Sequence, residues 1–353
     1  MPKRPDPLFS IPQPEAFTEP VLELLGGVAR PHPRRLTGDE AIAALARIET
    51  QAQAGDPAAE AELARRLLTE APNARKNRRA LSLLKKSAAA HSPEGLHLLA
   101  LVHLRGQGLK KDPETGVQLL TAAALAGNRF AQADLAKALL LGVGTSINPA
   151  KALYWLRIAA AGGDTSAALS AGRMYRDGVG TYIPKNPSQA VRWLEVAAKA
   201  GVARAQYELA ECLRHEGVGE RDPAASRRWM REAAFSGIVE AQFRTAVACW
   251  SGDGGTVDQR EAVRWLCRAT EGGSARAAAM LAGLFMTGNG LPLSDEKAWI
   301  LYRWAEILGD ASATGMAAFL SGRLSAEAKE AGLALLARPP RERLDILVPR
   351  AER

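Results

Sequence analysis

Two glycines separated by one residue, Gly142 and Gly144, precede a helix-forming segment that carries Lys151. A glycine-rich loop that opens a helix can bind phosphate, because unpaired backbone N–H groups and the helix dipole both attract anions. The stretch reads GVGTSINPAKALYWLRIAAAG, residues 142–162. It lacks the adjacent lysine and hydroxyl residue of a P-loop, and no strand pattern precedes it. The glycines therefore serve either a ligand or the fold.

Few other residues have the spacing that catalysis or metal binding requires. His97 and His103 are six residues apart, which places them on different faces of one helix, whereas a chelating pair is separated by four. The sequence contains no H-E-x-x-H, C-x-x-C, G-x-S-x-G or EF-hand pattern. We therefore predict no catalytic residue, no metal site and no cofactor, and we expect a protein that is not an enzyme.

The glycine pair recurs with a fixed period, which decides its meaning. A small residue stands four positions after each unit start, for example Ala205 and Ala241, and marks a helix face that allows close packing. The glycine pair then ends this helix, because glycine readily adopts the left-handed conformation of a C-terminal cap. The unit starts are 36 residues apart, except for one interval of 38, and they are His91, Gly127, Gly163, Gly201, Gly237, Gly273 and Gly309.

A second helix follows each glycine pair. Its start is marked by an Asp or Asn that can cap the free N–H groups and by a proline that is tolerated at the first helical position. Large residues such as Trp193 and Trp265 occupy its middle, and we interpret them as packing between helices. A repeat of this size buries its apolar face against neighbouring repeats, so the glycines serve the fold. The Asx-Pro pairs are Asp112-Pro113, Asn148-Pro149, Asn186-Pro187 and Asp222-Pro223.

The repeated unit resembles the Sel-1-like repeat, a relative of the tetratricopeptide repeat. The segment AALSAGRMYRDGVGTYIPKNPSQAVRWLEVAAKAG, residues 167–201, matches this pattern almost throughout, with a two-residue insertion in its loop. The resemblance implies an all-α protein, a right-handed α-solenoid of helix-turn-helix repeats of about 36 residues that form a TPR-like superhelix. It also implies an adaptor that holds other proteins together and has no chemistry of its own.

The cysteines differ from those of secreted members, which pair two cysteines within each repeat. This chain has only Cys212, Cys249 and Cys267, and such an odd, scattered set favours reduced thiols in a reducing compartment. The first residues contain no apolar run typical of a signal peptide, and no stretch approaches a membrane span. We therefore expect a cytoplasmic monomer.

The sequence predicts three regions. Residues 1–36 are rich in proline and arginine and are interpreted as a flexible arm, although EPVLELLGGVA within it could dock on the repeats or on a partner. Thr37 and Glu40 form a capping box that starts the ordered part. Residues 37–309 form the solenoid, in which residues 37–90 are a cap helix and a degenerate repeat and residues 91–309 are six clear repeats. Residues 310–353 are capping helices and a basic tail.

The resemblance places the concave face on residues 3, 6, 10, 13 and 14 positions after each unit start. In the middle repeats these positions carry arginines and large apolar residues, which are typical of peptide-binding hot spots. The alternative is that the arginines are solvated and the aromatic residues pack against neighbouring repeats. The predicted partner-binding residues are Arg173, Arg176, Arg204, Tyr207, Arg214, Phe243, Trp250 and Met286.

Two classes of function follow from these residues. The first is a scaffold or regulatory adaptor whose concave face binds an acidic, partly apolar segment of a protein partner. The second is a binder of nucleic acid or another anionic polymer, suggested by the net charge of +8 and the pI near 9.6. Acidic residues interrupt the basic positions and disfavour nucleic acid, and a polysaccharide-assembly scaffold follows only from the resemblance. The interrupting residues are Asp134, Glu208, Glu211 and Glu240.

Overall fold

The structure is a computed structural model that describes residues 38–69, 74–214 and 222–349. These residues contain eighteen α-helices and no strand, which confirms the predicted all-α fold. The helices are α1 (Gly38–Gln53), α2 (Pro57–Thr69), α3 (Ala74–Ala89), α4 (Pro93–Arg105), α5 (Pro113–Leu125), α6 (Arg129–Leu141), α7 (Pro149–Ala161), α8 (Thr165–Asp177), α9 (Pro187–Lys199), α10 (Ala203–Arg214), α11 (Pro223–Phe235), α12 (Val239–Ser251), α13 (Gln259–Glu271), α14 (Ala275–Thr287), α15 (Asp295–Ile307), α16 (Ala313–Ser321), α17 (Ala326–Leu336) and α18 (Pro340–Leu347).

The helices form two compact units that divide after Val196. In each repeat we call the helix before the loop the first helix and the helix after it the second helix. In the first unit, α4 pairs with α5 and α6 pairs with α7. In the second unit, α10 pairs with α11, α12 with α13 and α14 with α15. Second helices also pack against the first helix of the next repeat, as α11 does against α12.

The predicted caps at the start of the second helices are confirmed. The Asp112 carboxylate accepts a hydrogen bond from the Thr115 N–H at 3.1 Å, and the Asn148 side chain accepts one from the Lys151 N–H at 2.9 Å. A proline is the first residue of both helices, where its missing N–H costs nothing. The start of α7 is therefore already capped by the protein, which disfavours the phosphate site considered at Gly142.

The two glycines of a loop have separate structural roles. Gly142 lies at φ +68°, and its N–H bonds to the Ala138 carbonyl, so it is the left-handed cap of α6. Gly144 lies against the preceding repeat, because a Cβ atom added to it would be 2.1 Å from the Pro113 carbonyl oxygen. Both glycines have a positive φ of 68° that favours glycine, and Gly144 is needed in addition for close contact between repeats.

The core contains many buried alanines on both the first and the second helices. Ala205 and Ala241 are completely buried, as their position in the repeat predicts. A glutamine next to each of these small residues adds a contact that the sequence did not reveal. Its amide donates to a carbonyl near the end of the preceding second helix, in the pairs Gln132 to Ala124 at 3.1 Å, Gln206 to Ala198 at 3.3 Å and Gln242 to Ala234 at 3.3 Å.

Three short helices follow the last repeat. α18 packs against α13, and it buries Leu344, Leu347 and the adjacent Val348 almost completely. The Arg343 guanidinium lies 4.7 Å from the centre of the Trp304 ring. Burial lowers the pKa of this arginine. The residues immediately after Pro340 are therefore part of the folded core of the second unit.

Some sequence predictions fall outside the described residues. The arm predicted at residues 1–36 and the capping residue Thr37 belong to this group, as do the last four residues of the predicted basic tail. The cysteines are all described, and each thiol is buried and forms no disulfide. Among the described residues, no helix combines the length and the apolar character that crossing a membrane requires.

Candidate functional site: a charged face on the first helices

A carboxylate shared by two arginines links the first helices α10 and α12. Glu211 accepts a hydrogen bond from Arg214 at 3.2 Å within α10, and it forms an ion pair with Arg244 of α12 at 3.4 Å. All three side chains are only partly exposed. The contact therefore crosses from one repeat to the next on the face formed by the first helices.

A second shared carboxylate extends the pattern to α14. Glu240 accepts from Arg244 at 2.8 Å, and it also pairs with Arg276 of the following repeat. Together the five side chains form what we call the Arg–Glu network, in which arginine and glutamate alternate across three first helices. Three arginines and two glutamates leave the network with a formal charge of +1.

Aromatic rings lie under two of the arginines on this face. The guanidinium of Arg276 is 4.9 Å from the centre of the Phe243 ring, and that of Arg204 is 5.6 Å from the Tyr207 ring. Arg204 also pairs at 2.7 Å with Glu208, whose side chain is almost fully buried. Burial raises the pKa of the Tyr207 hydroxyl and the nearby glutamates add to this, so the phenol stays neutral at physiological pH.

A pocket with a cavity volume of about 160 Å³, partly open to solvent, adjoins the Arg–Glu network between α11 and α12. It combines four arginines and one aspartate with apolar side chains. Val247 is 39% exposed here, although it belongs to a helix whose other face is in the core. The lining residues are Arg214, Pro223, Ser226, Arg227, Met230, Phe243, Arg244, Val247, Ala248, Ser251, Asp253 and Arg276.

The structure gathers part of the predicted partner-binding set on this face. Arg214 and Phe243 line the pocket, while Tyr207 packs beside the Arg–Glu network with Arg204 over its ring. Their position along the repeat therefore identified a real cluster of side chains. Whether a partner binds there remains a prediction.

The other predicted residues lie elsewhere. Trp250 and Met286 are half-buried and pack against the core of the second unit. A Cβ atom added to Gly290 would lie 3.1 Å from the Trp250 ring, so this tryptophan contacts the loop of the next repeat. Arg173 and Arg176 belong to the first unit, where Arg176 forms two hydrogen bonds of 2.8 Å with the neighbouring Asp177.

Sequence reasoning missed Arg227 and Arg276, and it named Glu240 only as an interruption of the basic positions. Glu240 and Arg276 stand at the same position in the repeat as Arg204, three residues after a unit start, so the position rule could have found them. What it could not show is that a glutamate of one repeat bonds to an arginine of the next. Arg227 lies on a second helix, and no signal in the sequence pointed to it.

A histidine–aspartate contact occupies the equivalent face of the first unit. His97 of α4 is 3% exposed, and its Nε2 lies 2.7 Å from the Asp134 carboxylate of α6. The ring also stacks at 6.5 Å on Phe130. One histidine and one carboxylate are too few for a metal site. No group of three potential metal ligands occurs within the described part of the chain.

Comparison with known proteins identifies the repeat. A family model described as Sel1 repeat matches six consecutive segments, and the resemblance found in the sequence is thereby confirmed. No curated protein matches the sequence. The matched segments are residues 93–128, 129–164, 165–202, 203–235, 239–274 and 275–310.

Two solved structures share the fold. One is c5321, which displays an SLR fold and is described as a protective antigen present in uropathogenic Escherichia coli strains. The two sequences are 24% identical and the TM-score is 0.64; the match covers 88% of this chain and 65% of c5321. The chain thus spans about two thirds of the length of that protein. The other is a Sel1 repeat protein from Oxalobacter formigenes, with 23% identity and a TM-score of 0.64 over 98% of this chain and 97% of the other. Both likenesses concern the fold alone.

Proposed function

The chain belongs to the Sel1 repeat family, and we propose that it is a non-enzymatic adaptor that binds a partner protein on the first-helix face of α10, α12 and α14. Sel1 repeat proteins generally mediate protein–protein interactions, and the family is typically non-catalytic. The proposal further holds that the adaptor is a cytoplasmic monomer and that the partner presents an acidic, partly apolar segment.

The observation that carries the proposal is the combination of exposed arginines with aromatic rings on one face. Arg276 is 59% exposed and covers Phe243, and Arg214 lies beside the same pocket. Arginine and aromatic side chains contribute strongly to protein interfaces because they offer a large contact area together with directed hydrogen bonds. We also propose Trp250 and Met286 as apolar contacts at the edge of this face, and Arg173 and Arg176 as a separate contact in the first unit.

The Arg–Glu network disfavours the nucleic-acid alternative. A single strand needs a continuous positive groove with rings on which bases can stack. Here Glu211 and Glu240 each separate two arginines, and the Phe243 ring is covered by a guanidinium. An anionic polymer of uniform charge would meet a carboxylate at every second position of the network.

The proposal is tested by capturing proteins from an extract of the source cells with the tagged full-length chain. We compare the wild-type chain with Arg276→Glu and with Arg228→Glu, an exposed arginine on the second helix α11. The expected result is that Arg276→Glu loses a specific protein that the wild type and Arg228→Glu both retain. Melting curves verify that both variants are folded. The same captured proteins in all three samples would place the partner site elsewhere.

A further inference from the structure

We propose that the pocket between α11 and α12 receives one apolar side chain of the partner together with a neighbouring carboxylate, and that Glu240 is a built-in competitor for that carboxylate. This inference rests on the proposed function, because it locates the partner's acidic segment on the same face. It adds where the segment binds, what the pocket selects and which residue of the protein opposes binding.

The lining of the pocket is complementary to an acidic and apolar group. Met230, Phe243 and Val247 supply the apolar surface. Four arginines and one aspartate, Asp253, give the lining a formal charge of +3. Even when Glu211 and Glu240 are counted with it, the charge stays positive. A negatively charged ligand with an apolar side chain therefore fits this surface better than a neutral or basic one.

Arg227 makes the preference for a carboxylate stronger. Its guanidinium donates to the Thr256 carbonyl at 3.0 Å and to the Cys249 sulfur at 3.3 Å, and both acceptors are neutral. These contacts hold the side chain at the wall of the pocket. Burial raises the pKa of the Cys249 thiol, so the sulfur remains uncharged near neutral pH.

Glu240 occupies the position that an incoming carboxylate would take. It pairs with Arg244 and Arg276, and all three side chains are partly exposed, so their ion pairs can exchange with those of a ligand. An acidic ligand that displaces Glu240 replaces one exposed ion pair with another, and such an exchange contributes little binding free energy. The net gain must come from apolar contact with Phe243 and Val247. The pocket therefore selects a carboxylate that is next to an apolar side chain, rather than negative charge alone.

The test uses the purified full-length chain and labelled peptides whose ends are blocked. One peptide alternates glutamate with leucine, a second alternates glutamate with serine, and a third alternates lysine with leucine. A labelled thymidine oligonucleotide serves as the nucleic-acid probe. Binding is followed by fluorescence anisotropy at several salt concentrations.

Three variants examine the roles of the pocket residues. Glu240→Gln removes the competitor, and we expect the glutamate–leucine peptide to bind about two- to fivefold more tightly. Val247→Glu places a carboxylate and extra bulk in the pocket, and we expect at least about tenfold weaker binding. Val196→Glu is the matched control, because Val196 is 41% exposed but lies outside the pocket, and it should leave the affinity unchanged.

The outcomes separate this inference from the proposed function. Unchanged or weaker binding by Glu240→Gln, or no effect of Val247→Glu, would overturn the pocket proposal. Equal affinity for the glutamate–serine peptide or tighter binding of the oligonucleotide would overturn it as well. If Arg276→Glu still loses a protein partner from the extract while the Val247→Glu variant retains it, the adaptor function stands and only the pocket assignment fails.

Discussion

The second glycine of a loop offers a sharp test of why the glycine pair is present. Gly144→Ala places a Cβ atom 2.1 Å from the Pro113 carbonyl oxygen, and this backbone atom belongs to a helix that cannot move freely. Gly127→Ala is the control, because Gly127 also has a positive φ, +86°, but nothing lies within 4 Å of the added atom. Both variants incur left-handed strain of about 1–2 kcal/mol. Gly144→Ala adds an overpacking cost of about 1–3 kcal/mol.

The assay is urea unfolding followed by far-UV circular dichroism. We expect Gly144→Ala to lose about 2–5 kcal/mol of unfolding free energy and Gly127→Ala about 1–2 kcal/mol. Inorganic phosphate should leave the wild-type melting temperature unchanged, since the glycines serve the fold. Equal losses in the two variants would refute the close-contact argument. A rise in melting temperature with phosphate would revive the anion-binding interpretation.

Four further predictions test packing and charge. Ala241→Leu should cost about 1–3 kcal/mol, because Ala241 is completely buried, and an unchanged urea midpoint would contradict this. Trp250→Ala should lower the melting temperature, since the ring packs against the next loop, and should also weaken partner binding if Trp250 is the proposed apolar contact. An unchanged melting temperature would contradict the packing, and unchanged partner binding would contradict the proposed contact. Leu344→Ala should cost about 2–5 kcal/mol in the same assay, whereas the exposed Ile346→Ala should be nearly neutral. Burial raises the pKa of Glu62, but hydrogen bonds from two arginines of α2 outweigh it and hold that pKa below its ordinary value. This carboxylate therefore stabilises the folded protein at pH values above the pKa that Glu62 has in the unfolded chain. We expect the melting temperature of the wild type to exceed that of Glu62→Gln at such pH values, and this difference should vanish as the pH falls through the pKa of Glu62 in the folded protein. A difference that persists at low pH would contradict this prediction.

The repeat architecture could be predicted from the sequence because its signals are local. An Asx-Pro pair such as Asn148-Pro149 starts a helix through contacts with the next few residues, and the left-handed glycine at Gly142 ends one in the same way. These signals recur with one period, so each repeat supports the interpretation of the others. The contact between Gly144 and the preceding repeat has no local signal, since its partner atom lies about thirty residues earlier.

The candidate site was predictable only in part, because its chemistry arises between repeats. Position along the repeat identified Arg214 and Phe243 as members of one face. Pairing depends on side-chain reach: Arg244 forms ion pairs with a glutamate of its own helix and with one of the preceding repeat. The sequence showed acidic residues among the basic ones, and we interpreted them as an interruption. It could not show that Glu211 and Glu240 each join two arginines.

The sharing of carboxylates changes what the net charge of +8 implies for recognition. A bare cluster of arginines would attract any polyanion, and its binding would weaken steeply with salt. In the Arg–Glu network every second side chain is a carboxylate. The positive electrostatic field that extends into solvent is therefore weaker than the same arginines would produce without these carboxylates. Under the proposed function, selectivity would then depend on contacts within the pocket, where Arg227 and Val247 lie beside the network. We infer that partner affinity falls only modestly with salt and depends more strongly on the apolar side chain, so a steep salt dependence together with tolerance of Val247→Glu would contradict this account of the face.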